Sequence, residues 1–217
     1  IATRQARMEN LLKPLPLTEV VTGNVEHDLS ITGTLDNPSA DGILALTEGS
    51  WRGYLLNSVK GTYRFHDGVV EIQDAVINSL DNQVIINGTV TTQGNLALAL
   101  NGSDIDLARL PVPYPYPVNG NAKLAISLTG TLSNPQLTGQ AIIPTLTANG
   151  QLFERVEASL NLNGSLLDCP GATFVQGQSS FSLTGGINLA SEEIYGSLRV
   201  EKAQASAIAA LAKLDDK

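Results

Sequence analysis

The sequence predicts an all-β protein, a long and mostly antiparallel curved sheet with one short helix near the C-terminus. Three observations predict this class. Apolar and polar residues alternate over most of the 217 residues, which is the pattern of strands with one apolar side. Short turn sequences such as HDG, TANG and LNGS separate the alternating runs. One long pattern also occurs twice, which is typical of a repeat protein.

The repeat joins two stretches that lie 97 residues apart. The sequence ITGTLDNP of residues 31–38 recurs as LTGTLSNP in residues 128–135, and the same offset carries Gly23 to Gly120. No gap is needed, so we expect an elongated architecture in which each unit contacts its neighbours. The predicted division is a connector (1–19), a first β-repeat (20–116), a second β-repeat (117–203) and an alanine-rich helical segment (204–217).

Most predicted strands are apolar on one side only. In LAISLTGTL, residues Leu124, Ile126 and Leu128 share one strand parity, whereas Ser127 has the other. Only MENLLKPLPL, IDLARLPVPYPYP and EKAQASAIAALAKL interrupt the pattern, and the last predicts a helix of about three turns. The residues expected on the apolar side are Leu29, Ile31, Leu35, Tyr63, Phe65, Val84, Ile86, Leu96, Leu98, Leu100, Leu124, Ile126, Leu128, Leu132, Leu160, Leu162, Phe181, Leu183, Ile187 and Leu198.

An antiparallel sheet with one apolar face has to cover that face. The sequence offers further strands of the same one-sided kind, one short helix and only 5% aromatic residues to fill a thick core. Left open, this face would exceed the roughly 300–600 Å² of the largest apolar patch on a typical monomer. Three coverings remain open: the sheet folded over itself, another protein chain, or lipid.

Composition excludes several classes of function. A net charge of −8 and a pI near 4.7 argue against nucleic acid, which is bound by clustered lysine and arginine. The single cysteine, Cys169, forms no internal disulfide, and two histidines are too few for a typical zinc site. No apolar run reaches the ~18 residues of a membrane helix, and the start lacks a signal sequence. We expect a soluble fragment of a longer protein, without cofactor or metal.

Individual polar residues offer no enzyme active site. Asp104 and Asp106 lack the further ligands of a calcium loop, so we expect a solvated turn. His27 and His66 have no partnered nucleophile motif and are expected to be surface histidines. Trp51 is expected either to anchor a ligand or partner or to be an exposed or edge residue. It does not belong to the repeated unit, since its equivalent at the 97-residue offset is Ala148. We therefore expect that the protein is not an enzyme.

The repeated phrase G-T-L-x-N-P-x-x-x-G resembles the C-terminal repeats of the TamB family. It occurs at residues 33–42 and 130–139, is followed by alternating strands, and one copy closes with D-[IL]-x-x-L at residues 106–110. The likeness spans nearly the whole chain, and AsmA-like relatives among the bridge-like lipid transfer proteins share the motif. The membrane anchor and C-terminal end of a complete member are not present.

The resemblance implies a fold and a function. The implied fold is the β-taco, a long sheet curled into an open hydrophobic trough. The implied function is transport of phospholipid between the inner and outer membranes for outer-membrane biogenesis. The implied location is the periplasm of a diderm bacterium, with the parent protein anchored in the inner membrane. An outer-membrane barrel of the Omp85 type is the implied protein partner.

A physical mechanism follows from the pattern without the resemblance. A lining of Leu, Ile, Val and Phe shields an acyl chain, and each methylene kept from water is worth about 0.8 kcal/mol. Two alternatives remain: a structural or adhesive β-repeat whose core is closed internally, and an outer-membrane protein assembly factor that acts through strand pairing. A closed repeat needs apolar residues on two facing layers, whereas the sequence shows long one-sided strands.

Overall fold

The computed structural model describes residues 2–12, 21–51, 54–110, 117–188, 190–191 and 193–203. Thirteen strands form one antiparallel sheet in the order of the chain, β1 to β13, and the two ends of the sheet do not join. The predicted all-β fold with an open antiparallel sheet is thereby confirmed. The helix predicted for residues 204–217 lies outside the described residues.

The strands are long, most of them 10 to 15 residues. Their bounds are β1 Ala2–Arg7, β2 Val21–Gly33, β3 Pro38–Trp51, β4 Tyr54–His66, β5 Val69–Ser79, β6 Asn82–Thr91, β7 Asn95–Asp106, β8 Val118–Thr131, β9 Asn134–Ala148, β10 Gln151–Asn163, β11 Leu166–Gln176, β12 Ser179–Asn188 and β13 Ile194–Lys202. One helix, α1 (Met8–Leu12), follows β1, and a 3-10 helix (Leu107–Arg109) follows β7. These two helices lie within two of the three stretches where the alternating pattern breaks.

Tight turns explain why consecutive strands pair with each other. Asp67 and Gly68 join β4 to β5 with φ angles of 49° and 74°, and Asn149 and Gly150 join β9 to β10 with 47° and 75°. Positive φ at both central positions matches the right-handed twist of the flanking strands. Asp, Asn and Gly adopt this conformation at low cost, so the turns fix the register.

Two predicted turns are shorter in the structure than in the sequence analysis. The stretches LDNPSADG and LSNPQLTG are mostly strand, because β3 begins at Pro38 and β9 at Asn134. Thr34 N donates to Asn37 O at 3.2 Å and closes the first of these turns. Pro38 is tolerated because the first residue of a strand can do without a ladder donor.

The strands repeat with the offset found in the sequence. When β4, β5 and β6 are shifted by 97 residues, they coincide at both ends with β10, β11 and β12. The strands β2, β3 and β7 agree with β8, β9 and β13 within two residues at each end. The shifted β1 falls inside β7, so β1 is equivalent to the closing strand of a repeat.

The chain divides into two compact units. The N-terminal unit contains residues 1–101 and 129–133, and the C-terminal unit contains residues 102–128 and 134–217. These two units are defined by spatial contacts between residues and not by the sequence repeat. The predicted repeat limits at residues 20, 116 and 203 therefore remain a prediction. Val25 and Leu46 are fully buried in the N-terminal unit, as are Ile105 and Phe181 in the C-terminal unit.

Candidate functional site

The candidate site in the N-terminal unit is the face of the sheet formed by every second residue of strands β2 to β7, called here the N-terminal apolar face. Residues paired across neighbouring strands point to the same face. Successive pairing therefore assembles rows that cross six strands. One row is Leu29, Gly42, Tyr63, Ile72, Gly88 and Leu98, and the next is Ile31, Ala40, Phe65, Val70, Val90 and Leu96. Both rows contain aliphatic and aromatic residues, the first also contains two glycines, and neither contains a charged residue.

The opposite face of the same strands is largely polar. The row between the two apolar rows is Ser30, Asp41, Arg64, Glu71, Thr89 and Ala97. Arg64 Nε lies 3.0 Å from Asp41 Oδ1, and this hydrogen bond raises the pKa of the guanidinium. Ile43 and Ile85 are also exposed on this face; Ile43 pairs with polar residues on both sides, whereas Ile85 pairs with Val76. One-sidedness is therefore strong but incomplete.

The C-terminal unit has a corresponding face, called here the C-terminal apolar face. Its rows cross β9 to β13 and are Leu137, Leu162, Leu167, Ile187 and Ile194, and Ala141, Ala158, Ala172, Leu183 and Leu198. The opposite face carries the row Ile142, Glu157, Thr173, Ser182 and Arg199. Each unit therefore separates apolar from polar side chains by strand parity.

The predicted residues differ in exposure. Leu96 and Phe181 are buried. Thirteen are half-buried: Leu29, Tyr63, Phe65, Val84, Ile86, Leu98, Leu100, Leu124, Ile126, Leu128, Leu160, Leu162 and Ile187. Five are exposed: Ile31, Leu35, Leu132, Leu183 and Leu198. Most members of the predicted set thus retain accessible apolar surface while their neighbours shield the rest.

Two of the exposed residues lie outside the strands. Leu35 is fully exposed in the turn after β2, and Leu132 lies in the turn after β8. The sequence pattern grouped them with the apolar side by extending the alternation beyond the end of each strand. Gly33 and Gly130 have φ angles of +91° and +84°, and the regular extended backbone ends at these glycines. These two residues do not continue the apolar rows.

The prediction also missed members of the N-terminal apolar face. Val70, Ile72 and Val90 complete its rows, and Ala75 and Ile77 continue the face along β5. In β5 the pairing register shifts between residues 72 and 75, and Asp74 has a φ of 46°. Such a bulge changes strand parity, so alternation alone does not connect the two halves of β5. The run VVEIQDAVINS carries the signal as apolar pairs on both sides of Gln-Asp.

One end of the N-terminal apolar face forms an open groove of about 280 Å³. Met8 from α1 contributes to its wall, so the short helix lies at this end of the face. The remaining lining residues are Val21, Leu44, Leu46, Leu56, Val59 and Ile77. A groove with only apolar lining side chains is suited to aliphatic groups.

Aromatic side chains fill part of the C-terminal apolar face. Phe174 lies edge-on to Phe153, with ring centroids 5.4 Å apart, and stacks on Phe181 at 5.1 Å. Phe153 and Phe181 are buried, with 6% and 1% of their surface exposed. The three rings therefore cover one another in this part of the face. Aromatic pairs of this kind add about 0.5–1.5 kcal/mol to the burial of their area.

A polar pair interrupts the N-terminal apolar face. His27 Nε2 and Tyr63 Oη lie 2.6 Å apart, and the two rings are nearly parallel, with an interplanar angle of 15°. Both side chains are half-buried, and burial raises the pKa of the Tyr63 phenol. His27 was expected to be an ordinary surface histidine, whereas the structure places it in a specific contact among aliphatic neighbours.

The other polar candidates make local contacts, and Asp104 lies in strand β7 and not in the predicted turn. Asp104 accepts a hydrogen bond from Asn121 at 2.5 Å, and Asp106 accepts one from Ala108 N at 3.0 Å at the start of the 3-10 helix. His66 lies at the exposed end of β4, with Nδ1 3.3 Å from Asp67. No group of three potential metal ligands occurs among the described residues.

Cys169 and Trp51 both lie in strands. Cys169 is half-buried in β11 opposite Gly185. Trp51 ends β3 opposite Val21, and its side chain lies outside the described part of the structure. Within the described residues, no helix is long and apolar enough to cross a membrane.

Comparisons with known proteins identify no family for this chain. No protein-family model, curated protein or solved structure matches it. The function therefore has to be argued from the two apolar faces themselves.

Proposed function

We propose that the two apolar faces bind the acyl chains of lipids, and that the protein carries phospholipid between membranes in the manner implied by its resemblance to TamB-like repeats. The observation that carries this proposal is the set of half-exposed apolar rows, which continue from strand to strand in each unit. Under this proposal the protein works in the periplasm, and the parent protein is anchored in the inner membrane and contacts an Omp85-type barrel.

The described residues contain no second sheet and no long helix to cover these rows. All thirteen strands belong to one sheet, and the two described helices have five and three residues. A β-sandwich would instead place a second sheet about 10 Å away, with its own apolar residues facing the first. An apolar ligand is the covering that suits rows of this length and composition.

The dimensions of the N-terminal apolar face suit an acyl chain. Neighbouring strands lie about 4.8 Å apart, so a row across six strands spans about 24 Å. One leaflet of a bilayer has a hydrocarbon depth of about 15 Å, half of the ~30 Å core. A row is therefore longer than an acyl chain, and each methylene that it shields contributes about 0.8 kcal/mol.

The similarity of successive rows supports movement as well as binding. Apart from the His27–Tyr63 pair, the rows offer aliphatic or aromatic side chains and glycine at each position. Hydrophobic contact is non-directional, so neighbouring positions hold an acyl chain about equally well. A chain bound in this way shifts from row to row because no single position holds it in a deep energy minimum.

One observation favours strand pairing as a second candidate function. All residues of β13 are exposed, and it ends the sheet with apolar side chains such as Ile194, Leu198 and Val200. An exposed edge with this composition is a template for another strand. A partner strand at β13 would serve a structural repeat or an assembly factor and needs no lipid.

Photo-crosslinking tests the lipid proposal. A photoreactive residue is placed at Leu98 or Leu162 on the apolar faces, and at the adjacent Ala97 or Asn161 on the opposite faces. The protein is incubated with phosphatidylethanolamine and phosphatidylglycerol vesicles, irradiated and analysed by mass spectrometry. We expect phospholipid adducts from positions 98 and 162 but not from 97 and 161.

Two results would count against the proposal. Equal lipid adducts from both members of each pair would mean that the lipid contacts are non-specific. Protein–protein adducts alone would mean that another chain covers the apolar faces, and they would favour strand pairing or a structural repeat.

A further inference from the structure

The His27–Tyr63 pair is the feature of the N-terminal apolar face that acyl-chain binding leaves unexplained. His27 lies in β2 between Val25 and Leu29 in strand parity, and Tyr63 lies in β4 beside Phe65. The two residues bond at 2.6 Å across the intervening strand β3. Two polar side chains thus meet within a surface that is otherwise lined by hydrocarbon.

Gly42 of β3 makes this contact possible. It is paired with Leu29 on one side and Tyr63 on the other. A Cβ atom at this position would lie 2.5 Å from Cζ of Tyr63, so the ring occupies the space that a side chain would take. Without that space, the hydroxyl would not reach the imidazole on β2.

The pair belongs to one unit only. At the 97-residue offset, the positions of His27 and Tyr63 are occupied by Leu124 and Leu160. The intervening glycine is retained as Gly139, where a Cβ atom would lie 2.9 Å from Ile126 Cγ1. The C-terminal unit therefore has the same local frame lined by aliphatic side chains alone, which shows that this part of the repeat does not require a polar pair.

Hydrogen-bond chemistry leaves the pair with a donor for a ligand. If Tyr63 donates to Nε2, the neutral imidazole keeps its Nδ1 hydrogen. If Nε2 donates to Tyr63, the phenol keeps its hydrogen, and burial favours this protonated form by raising the pKa of Tyr63. In either arrangement one N–H or O–H group is not used by the mutual bond.

The surroundings favour a negatively charged acceptor. Glu26 and Asp28 flank His27 in β2, and Asp41 precedes Gly42 in β3; all three acidic residues have the opposite strand parity and lie on the polar face. No carboxylate of these two strands therefore competes for the donor on the apolar side. Aliphatic neighbours lower the local polarity, which strengthens a hydrogen bond to an ionised oxygen.

We propose that His27 and Tyr63 bind the anionic oxygens of an acyl lipid, a carboxylate or a phosphate, while the acyl chain lies along the adjacent rows. This assignment rests on the proposed function and adds a headgroup site to it. The N-terminal unit holds a lipid at a defined position, whereas the C-terminal unit, with Leu124 and Leu160, binds the acyl chain alone.

The test compares charged lipids with uncharged ones on the delipidated 217-residue chain. Radiolabelled lipid is delivered from cyclodextrin and binding is measured by equilibrium dialysis. Oleate is compared with methyl oleate, and phosphatidic acid with diacylglycerol. Because hydrogen bonds to charged groups are among the strong ones, we expect the charged member of at least one comparison to bind about tenfold more tightly.

Three variants remove the pair in different ways. Tyr63→Phe removes only the hydroxyl, His27→Leu introduces the residue of the other unit, and Gly42→Ala displaces the ring. Each is expected to abolish the preference for charged lipid, so that oleate and methyl oleate bind with similar affinity to the same variant. The control Leu160→Met, at the position equivalent to Tyr63, is expected to keep the preference. Circular dichroism establishes that each variant is folded.

The outcomes separate the two proposals. Failure of the wild-type chain to bind any of the four lipids would overturn both. Wild-type binding without preference in either comparison, or a preference that persists in both folded Tyr63→Phe and His27→Leu, would overturn the headgroup site and leave acyl-chain binding intact. A preference for oleate alone identifies a carboxylate as the ligand, and one for phosphatidic acid alone identifies a lipid phosphate.

Discussion

Replacing Leu98 with aspartate places a charge within the N-terminal apolar face, where Leu98 pairs with Gly88. Full burial of a leucine is worth about 1.5–3 kcal/mol, and since Leu98 is already half-buried, a bound acyl chain adds about 1 kcal/mol. A carboxylate that loses water beside the chain costs a further ~1–3 kcal/mol. The sum of about 2–4 kcal/mol corresponds to oleate binding weakened by roughly 30-fold to 1000-fold.

The matched control is Ala97→Asp, one residue away on the polar face. Ala97 is exposed and pairs with Thr89, so the new carboxylate stays hydrated. We expect oleate affinity within about twofold of wild type, as for most surface substitutions. Binding is measured by equilibrium dialysis with labelled oleate, and circular dichroism shows whether each variant is folded.

Two results would refute the reasoning. An equal loss of affinity in Leu98→Asp and Ala97→Asp would show that strand parity does not select the binding face. Full affinity in a folded Leu98→Asp variant would show that oleate does not lie on this row. Leu98→Ala, which only removes the contact worth about 1 kcal/mol, is expected to weaken binding about fivefold.

Three further predictions concern packing, backbone conformation and ionisation. Phe181→Ala should lower the free energy of unfolding in urea by about 3–5 kcal/mol, because this ring is buried against a second phenylalanine. Leu198 is 47% exposed, so Leu198→Ala should cost about 1 kcal/mol or less, and equal costs would contradict the packing argument. Gly88→Ala should destabilise the fold by about 2 kcal/mol, because the φ of Gly88 is +133° and a Cβ atom would collide with a neighbouring carbonyl. At Gly171 a Cβ atom would meet no atom within 4 Å, so Gly171→Ala should be neutral or slightly stabilising in the same assay. Burial raises the pKa of Tyr63. The stability that the protonated Tyr63 phenol contributes should therefore be complete below the ordinary tyrosine pKa of about 10 and should be lost as pH rises through the higher folded pKa. Ultraviolet titration of wild type and Tyr63→Phe measures this pKa, and a normal value for the Tyr63 phenol would show that burial is unimportant.

Much of the fold was predictable because its signals are local. Alternation predicts individual strands, and Asp-Gly and Asn-Gly turns such as Asp67-Gly68 require consecutive strands to pair. The 97-residue offset predicts that the same strands recur, and β5 and β11 agree at both ends. The all-β class and the antiparallel order of the sheet therefore follow from short-range rules.

The candidate site was predictable only in part. Strand parity places Leu29 and Leu98 on an apolar side, but it does not show that they belong to one row. Bulges change parity within a strand, so Ile77 on the far side of the β5 bulge was missed. Leu35 was included because its spacing continued the pattern beyond Gly33, where the strand ends. The errors at Ile77 and Leu35 arise where the backbone leaves the regular period of two.

The sequence by itself determined the strands, their apolar sides and their repetition, since these depend on spacing and turn chemistry within about fifteen residues. Only the tertiary structure decided which residues of different strands meet. Register joins Leu29, Gly42 and Tyr63 in one row, and the missing side chain at Gly42 brings the Tyr63 hydroxyl to His27, 36 residues away in the chain. Contacts of this kind depend on the summed register of several strands, which no local period encodes.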